Sequence, residues 1–396
     1  MIDRRVVLKG VAGGVLALRA VGARAQLALP FPNGQRPLVQ YPGKRPLIQL
    51  TARPPQLETP FAVFDENLIT PNDAFFVRYH LANLPLTLDP ETYALEVRGS
   101  VATPLRLSLE EIKQLPATEI VAVNQCSGNS RGFFEPRIGG GQLGHGAMGN
   151  ARWRGVSLRA VLDRAGVRAG ARQVLFNGLD TPVGDRVPDF VKALDIDHAR
   201  DGEVMLAYAM NGEALPVLNG FPLRLVVPGY YGTYWTKHLH DIQVIDTVYD
   251  GYWMQTAYRI PDNDCACVAP GAGAQATRPI NRFAIRSFIT NVNDGDRITA
   301  DRDVRLRGFA FDSGHGISDV SVSTDGGREW RPARLDGDIG RYAFRGWQAD
   351  IRLPAGAHAL LVRARNRTGE TQPEMPRWNP AGYMRNVIET VRIVAV

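Results

Sequence analysis

The sequence predicts an α+β body followed by an immunoglobulin-like β-sandwich, and three observations predict it. Strand-like runs alternate with capped helical segments over residues 61–280. Near Phe283 the texture changes to short alternating runs separated by turn residues. The 396 residues, 44% hydrophobic and 22% charged, exceed one ordinary domain and have the composition of a soluble globular protein.

At the N-terminus, Arg4-Arg5 and Lys9 precede a short apolar stretch from Val11 to Leu18. Ala23-Arg24-Ala25 then forms a small-residue cleavage site before Gln26. This predicts an export leader over residues 1–25. Its paired arginines point to the twin-arginine route for chains already folded, and so to a periplasmic protein that collects a cofactor before export. No later apolar run reaches the ~18 residues of a bilayer span, so no membrane span is expected.

Residues 26–60 are rich in proline and lack helical period, which predicts an extended arm lying over the body, one that can also make dimer contacts. In the body, residues 61–280, Ala94-Leu95-Glu96-Val97 and Glu119-Ile120-Val121-Ala122-Val123 read as strands. Leu107–Ile112 and Ser157–Leu162 read as helix starts, with Ser108 and Ser157 at the N-cap and apolar residues spaced by three and four. In the C-terminal domain, residues 281–396, strands are expected at Val304–Phe311, Val320–Thr324 and Ala359–Ala364. Asp325-Gly326-Gly327 signals a hairpin, because Asp-Gly tolerates the positive φ that tight turns need.

The net charge of +6, from 46 basic and 40 acidic residues, is spread along the chain without basic blocks. That argues against nucleic acid and for an anionic substrate or an acidic partner. The three cysteines give an odd count. Side chains two apart on an extended chain diverge, so Cys265 and Cys267 are read as loop thiols and no disulfide framework is expected. His238 and His240 flank Lys237 without a third His or a Cys at metal-ligand spacing, and are assigned structural roles.

The most informative segment is Val123-Asn124-Gln125-Cys126-Ser127-Gly128-Asn129-Ser130-Arg131-Gly132, where a lone Cys at the end of an apolar strand enters a polar turn. A buried structural Cys and a soft thiolate ligand to a redox metal, with Arg131 nearby, both fit this pattern.

Five segments, in order, resemble the sulfite oxidase family of molybdopterin enzymes, and most closely its bacterial periplasmic sulfite:cytochrome c dehydrogenases. They are Thr70–His80, the Cys126 loop, Leu206–Gly212, Gly220–Gly229 and Trp378–Tyr383. The resemblance runs from about Arg53 to the C-terminus. It implies a molybdopterin-binding catalytic domain and a C-terminal immunoglobulin-like dimerisation domain.

The resemblance further implies Cys126 as protein ligand to molybdenum, with Arg78, Arg131 and Tyr258 lining an oxyanion pocket. His80, Asp180, Arg224 and Lys237 fall on positions that contact the pterin cofactor. Asn219 stands where vertebrate relatives carry a His. Animal relatives also carry an Arg after Trp-Asn-Leu, where this chain has Ala381, so a third pocket arginine would have to come from Arg377 or Arg385.

Oxidation of sulfite at a Mo-molybdopterin centre is the implied activity. Without a Cys-x-x-Cys-His motif there should be no haem in this chain, and a c-type cytochrome, as subunit or soluble partner, should accept the electrons. The alternatives are a sulfane dehydrogenase subunit of a thiosulfate-oxidising complex, a molybdenum-dependent sulfoxide reductase, whose relatives lack the sandwich, and, remotely, a cofactor-free binding protein. Either a homodimer or a heterodimer is compatible with this pattern.

Overall fold

The computed structural model describes residues 26–28 and 35–396; the expected leader lies outside them. The proline-rich stretch is extended, and it pairs. Strands Gln26–Ala28, Gln35–Val39, Leu47–Thr51, Gln56–Glu58 and Val77–Arg78 form an antiparallel sheet in that order. Leu47, Leu57, Val77 and Tyr79 pack beneath it, which is why a segment without helical period is ordered here. Pairing sets Gln56 opposite Arg78. The buried Glu58 carboxylate accepts from the backbone N–H groups of Gly144 (2.9 Å) and Gly146 (2.7 Å), so this segment braces the loop that follows Cys126.

The body holds two further large sheets and a two-stranded one, Arg259–Pro261 with Thr277–Pro279. One large sheet runs Lys192–Asp195, Gln173–Gly178, Leu239–Ile245, Ala94–Gly99 and Leu105–Ser108, with a parallel pair between Leu239–Ile245 and Ala94–Gly99. The other runs Glu213–Ala214, Met205–Met210, Met148–Ser157 and Ala117–Gln125, with Arg224–Val226 also on Met205–Met210. The fully buried Trp153, on the strand Met148–Ser157, sits in the core against Phe75 and Trp235 and donates to the Ala122 carbonyl at 3.0 Å. Both predicted helices form and are short. Leu109–Lys113 starts at a reciprocal capping box between Ser108 and Glu111. Leu158–Ala165 buries Leu158, Val161, Leu162 and Ala165 on one face and stops at Gly166, whose φ of +69° a side chain would resist.

In the C-terminal sandwich, Arg286–Ile289, Asp303–Phe311, Arg345–Arg352 and Arg334–Leu335 form one sheet. Arg297–Ile298, Thr390–Ala395, Gly356–Asn366, Ile317–Ser323 and Arg331–Pro332 form the other. Trp347, Leu306, Leu360 and Val362 fill the space between. The Asp325-Gly326-Gly327 turn lies between the paired strands Ile317–Ser323 and Arg331–Pro332. Its loop is longer than a two-residue turn, and the Asp325 carboxylate closes it by accepting from the N–H groups of Arg328 and Glu329. The sandwich is joined to the body where the Val123 N–H donates to the Tyr342 carbonyl at 2.9 Å.

The expectation for Cys265 and Cys267 is corrected, because the two are joined in a disulfide. Divergence of alternate side chains holds for extended backbone. Here Ala266 takes a φ of +52°, and Asn263 pins the turn by accepting from the Cys267 N–H and donating to its carbonyl. The chain therefore doubles back and brings both sulfurs to one side, with Cα atoms 5.1 Å apart.

Histidines held neutral away from water, His145, His238 and His80 among them, give the fold an acid limit. Burial pushes His145 and His238 down to about 3, against an unfolded value of 6.5. Between these values the unfolded chain binds more protons, so stability is present above about 6.5 and is lost as pH falls toward 3. Glu58, raised to about 7 by burial, acts in the opposite sense between 4.5 and 7, so the loss should steepen below about 4.5. Thermal melts across this range should show that limb, and His238→Gln should flatten it; an unchanged slope in the variant would remove His238 from the account.

Candidate active site

Strand Ala117–Gln125 ends in five consecutive buried residues and delivers Cys126 to the edge of a cleft. The turn is fixed by backbone bonds, Cys126 N–H to Ala147 O and Asn129 N–H to Cys126 O, both 2.9 Å. Ser130 then adopts a φ of +69° and starts the short turn Arg131–Phe133. Arg286 of the sandwich, almost fully buried, donates to the Ser130 hydroxyl (2.9 Å) and to Glu389 (3.0 Å), so the C-terminal domain holds the Cys126 loop from behind. Cys126 is half-buried and is the one free thiol among the described residues.

The cleft spans about 660 Å³ of space between protein atoms, part of it open solvent. It brings together seven of the eight residues singled out from the sequence: Arg78, His80, Cys126, Asp180, Arg224, Lys237 and Tyr258. Arg131 lies one layer out. Its guanidinium donates to the carbonyls of Ala381 (3.0 Å) and Gly141 (3.3 Å) and covers the ring of Tyr383 at 5.1 Å. It fits because Gly128 and Gly382 leave room, a Cβ at either falling within 2.9 Å of its side chain. Tyr383 in turn stacks on Tyr258, with ring centroids 5.3 Å apart, so Arg131 reaches the cleft through two aromatic rings.

Tyr258 is buried at a φ of +59°, and its hydroxyl is hydrogen-bonded to His80 Nε2. His80 stacks on Phe190 at 3.9 Å. Burial first, then the charges of Arg78, Lys237 and Lys192, holds the His80 imidazole neutral, well below its ordinary pKa. Burial likewise raises the Tyr258 phenol, so it stays protonated as a hydrogen-bond donor.

At the inner end, burial lowers Lys237 to about 7 and Arg224 to about 9. Lys237 donates to the Arg78 carbonyl at 2.8 Å and rests 4.1 Å from the Tyr79 ring, and Asp180 attracts it. Arg224 lies against Trp153 and Trp235 and donates to the Asn219 carbonyl at 2.9 Å. Asn219 is itself committed, accepting from Lys44 and donating to the Phe76 carbonyl. His238 bridges Tyr79 and the Phe221 carbonyl at 2.6 Å each, which is a structural role. No group of three or more His, Cys, Asp and Glu able to hold a metal occurs among the described residues.

Several buried polar atoms around this cleft have no partner: the Arg224 Nε, the Asn124 side-chain Oδ1, and the hydroxyls of Ser127, Thr233 and Thr236. Buried polar groups are nearly always hydrogen-bonded, so such a cluster beside three cations and the single carboxylate of Asp180 fits an anionic, oxygen- and nitrogen-rich guest. A molybdopterin with its phosphate has that chemistry. Arg224, Lys237 and the hydroxyls suit its tail, and the Cys126 sulfur suits a soft metal.

Sequence reading missed Lys44, Lys192 and Tyr383. Lys44 and Lys192 sit in unremarkable segments, and only the fold buries them; Tyr383 was within a noted motif but had no assigned role. The third pocket arginine is not found at either expected position. Arg385 is buried against Glu389 and Phe133, and Arg377 is exposed; neither lines the cleft.

Residues 81–253 match the family described as the oxidoreductase molybdopterin binding domain, and residues 277–395 the Mo-co oxidoreductase dimerisation domain. The chain is 34% identical over 362 residues to the mitochondrial sulfite oxidase of Homo sapiens, covering 86% of this chain and 64% of that protein. It is 33% identical over 352 residues to the sulfite oxidase of Gallus gallus, covering 84% and 74%. Among solved structures it resembles the sulfane dehydrogenase SoxCD of Paracoccus pantotrophus, with a TM-score of 0.73 at 24% identity over 96% of this chain and 92% of that one. That last likeness is one of fold.

Proposed function

Since the chain belongs to the sulfite oxidase family of molybdenum oxidoreductases, we propose that it is a periplasmic sulfite dehydrogenase that passes electrons to a separate c-type cytochrome. The observation carrying this reading is the cleft itself, where one free thiol shares a lining with Arg78, Arg224 and Lys237 against the single carboxylate of Asp180. When bound, the molybdenum cofactor would supply oxygen-atom transfer and accept two electrons. The chain's own contribution is positioning and charge.

Cys126 would ligate the metal, and Arg224 and Lys237 would balance the pterin phosphate. Arg78 and the Tyr258 hydroxyl, fixed by neutral His80, would hold the sulfite oxygens through charge-assisted and neutral hydrogen bonds. Arg131, screened by Tyr383, would add long-range attraction for the anion. A phenol kept protonated serves here because it donates to an oxyanion without adding a competing negative charge.

Export to an oxidising compartment is the reading favoured by the Arg4-Arg5 pair of the expected leader and by the Cys265–Cys267 bridge, since disulfides persist outside the cytoplasm. A dimer is supported by the match of residues 277–395 to a dimerisation domain.

The test is metal analysis of the purified protein alongside sulfite-dependent reduction of cytochrome c. Molybdenum near one atom per chain with sulfite-driven reduction is the expected result. Molybdenum without sulfite turnover, but with turnover of a persulfidated carrier or a sulfoxide, would replace the substrate; absence of molybdenum after expression with the cofactor available would overturn the enzyme reading.

A further inference from the structure

Lys192 is a buried cation that stands outside the lining of the cleft. It opens the strand Lys192–Asp195, with 1% of its surface exposed. An ammonium has three donors. One goes to the Trp253 carbonyl at 2.6 Å, and the others meet ring faces, with Tyr234 at 4.6 Å and Tyr258 at 5.3 Å from Nζ to centroid. Among the described residues no ion pair joins it to a carboxylate. A buried charge left in this state is costly unless something nearby is negative when the site is occupied.

We infer that Lys192 is a positioning residue for Tyr258 and supplies the third positive charge of the anion pocket, the one that neither Arg377 nor Arg385 provides. The inference rests on the anion-oxidising reading above and names the group that completes it. Three elements converge to build the arrangement: the strand carries Lys192, the turn Gly232–Tyr234 offers one ring, and the helix Tyr252–Gln255 offers the Trp253 carbonyl. Tyr258 is thus held by Lys192 near its ring, by the stacked Tyr383, and by His80 at its hydroxyl.

The charge also reaches His80, which it helps to keep neutral. In this way Lys192 acts on the substrate-facing hydroxyl without lining the cleft. The groups that set its own protonation are Arg259, which disfavours its charge, and the neutral phenols of Tyr234 and Tyr258. Burial lowers its pKa to about 7, so an anion in the pocket should raise it and loss of its proton should weaken anion binding.

The experiment compares molybdenum-loaded wild type with Lys192→Met, Lys192→Gln and Lys192→Arg. For Lys192→Met the KM for sulfite should rise on the order of tenfold, the scale of one weakly screened charge beside an anion, with a smaller change in kcat. Lys192→Arg should recover most of that loss. The wild-type KM should climb as pH rises through about 7, and Lys192→Met should lack this limb.

Protection of each protein by sulfate in thermal melts reads the anion site without turnover. If wild type does not oxidise sulfite, the function reading fails, and the melts still decide the role of Lys192. An unchanged KM and unchanged sulfate protection in Lys192→Met would overturn the inference, as would equal loss in Lys192→Met and Lys192→Arg with lowered melting temperature, which marks a packing role. If Lys192→Met does not fold, Lys192→Gln and Lys192→Arg are compared in its place.

Discussion

Cys126→Ser is expected to leave a folded chain whose sulfite turnover falls to background. The substitution replaces one sulfur by a slightly smaller oxygen at a half-buried position, and the turn that presents it is held by backbone bonds and by Arg286, none of which involves the thiol. The chemistry at that atom changes completely, because a hydroxyl is a hard donor that stays protonated near neutral pH, whereas a thiolate suits a soft metal. Loss of even an outer contact to a metal ligand costs about 10- to 100-fold, so loss of the ligand itself should exceed that. Circular dichroism and thermal melting check the fold, and cytochrome c reduction checks the activity. Substantial residual sulfite oxidation would remove Cys126 from its role.

Lys237→Met should act at an earlier stage, on retention of the cofactor. The methionine keeps most of the buried stem but strips the charge and leaves the Arg78 carbonyl without its 2.8 Å partner. An unpaired carbonyl costs about 1–3 kcal/mol when fully buried, and this one is part-buried, so the melting temperature should drop modestly. Molybdenum per chain should fall by on the order of tenfold or more, as the phosphate loses a cation in a site that excludes water. Lys237→Arg, with the charge kept, should retain more metal than Lys237→Met. Full molybdenum content in Lys237→Met would show that this lysine does not hold the cofactor, whatever the activity.

Much of the architecture is legible in the residues. Ser108 with Glu111 announces a capped helix, and the alternating runs after Phe283 announce the sandwich, because both signals are local and depend on periods of 3.6 and 2. The Cys126 loop is equally visible, since an isolated Cys after an apolar strand and before a Gly/Asn/Ser turn is a local pattern. Local patterns fail where the backbone leaves its regular form. Ala266 at a φ of +52° brought together two cysteines that an extended chain would hold apart.

By itself, the sequence determined which residue types were present to do the chemistry and in what order along the chain: Cys126 at a strand end, Arg78 and His80 in one motif, Arg224 in another, and Asp180, Lys237 and Tyr258 between the motifs. Only the tertiary structure decided that seven of those eight residues share one cleft, that Arg131 stands behind Tyr383, and that Lys192 lies buried beside Tyr258. The reason is physical. Secondary structure follows from steric and hydrogen-bonding preferences within a few residues, whereas the charge state and reach of a side chain follow from which distant surfaces exclude water around it, and burial of that kind exists only once the chain has folded.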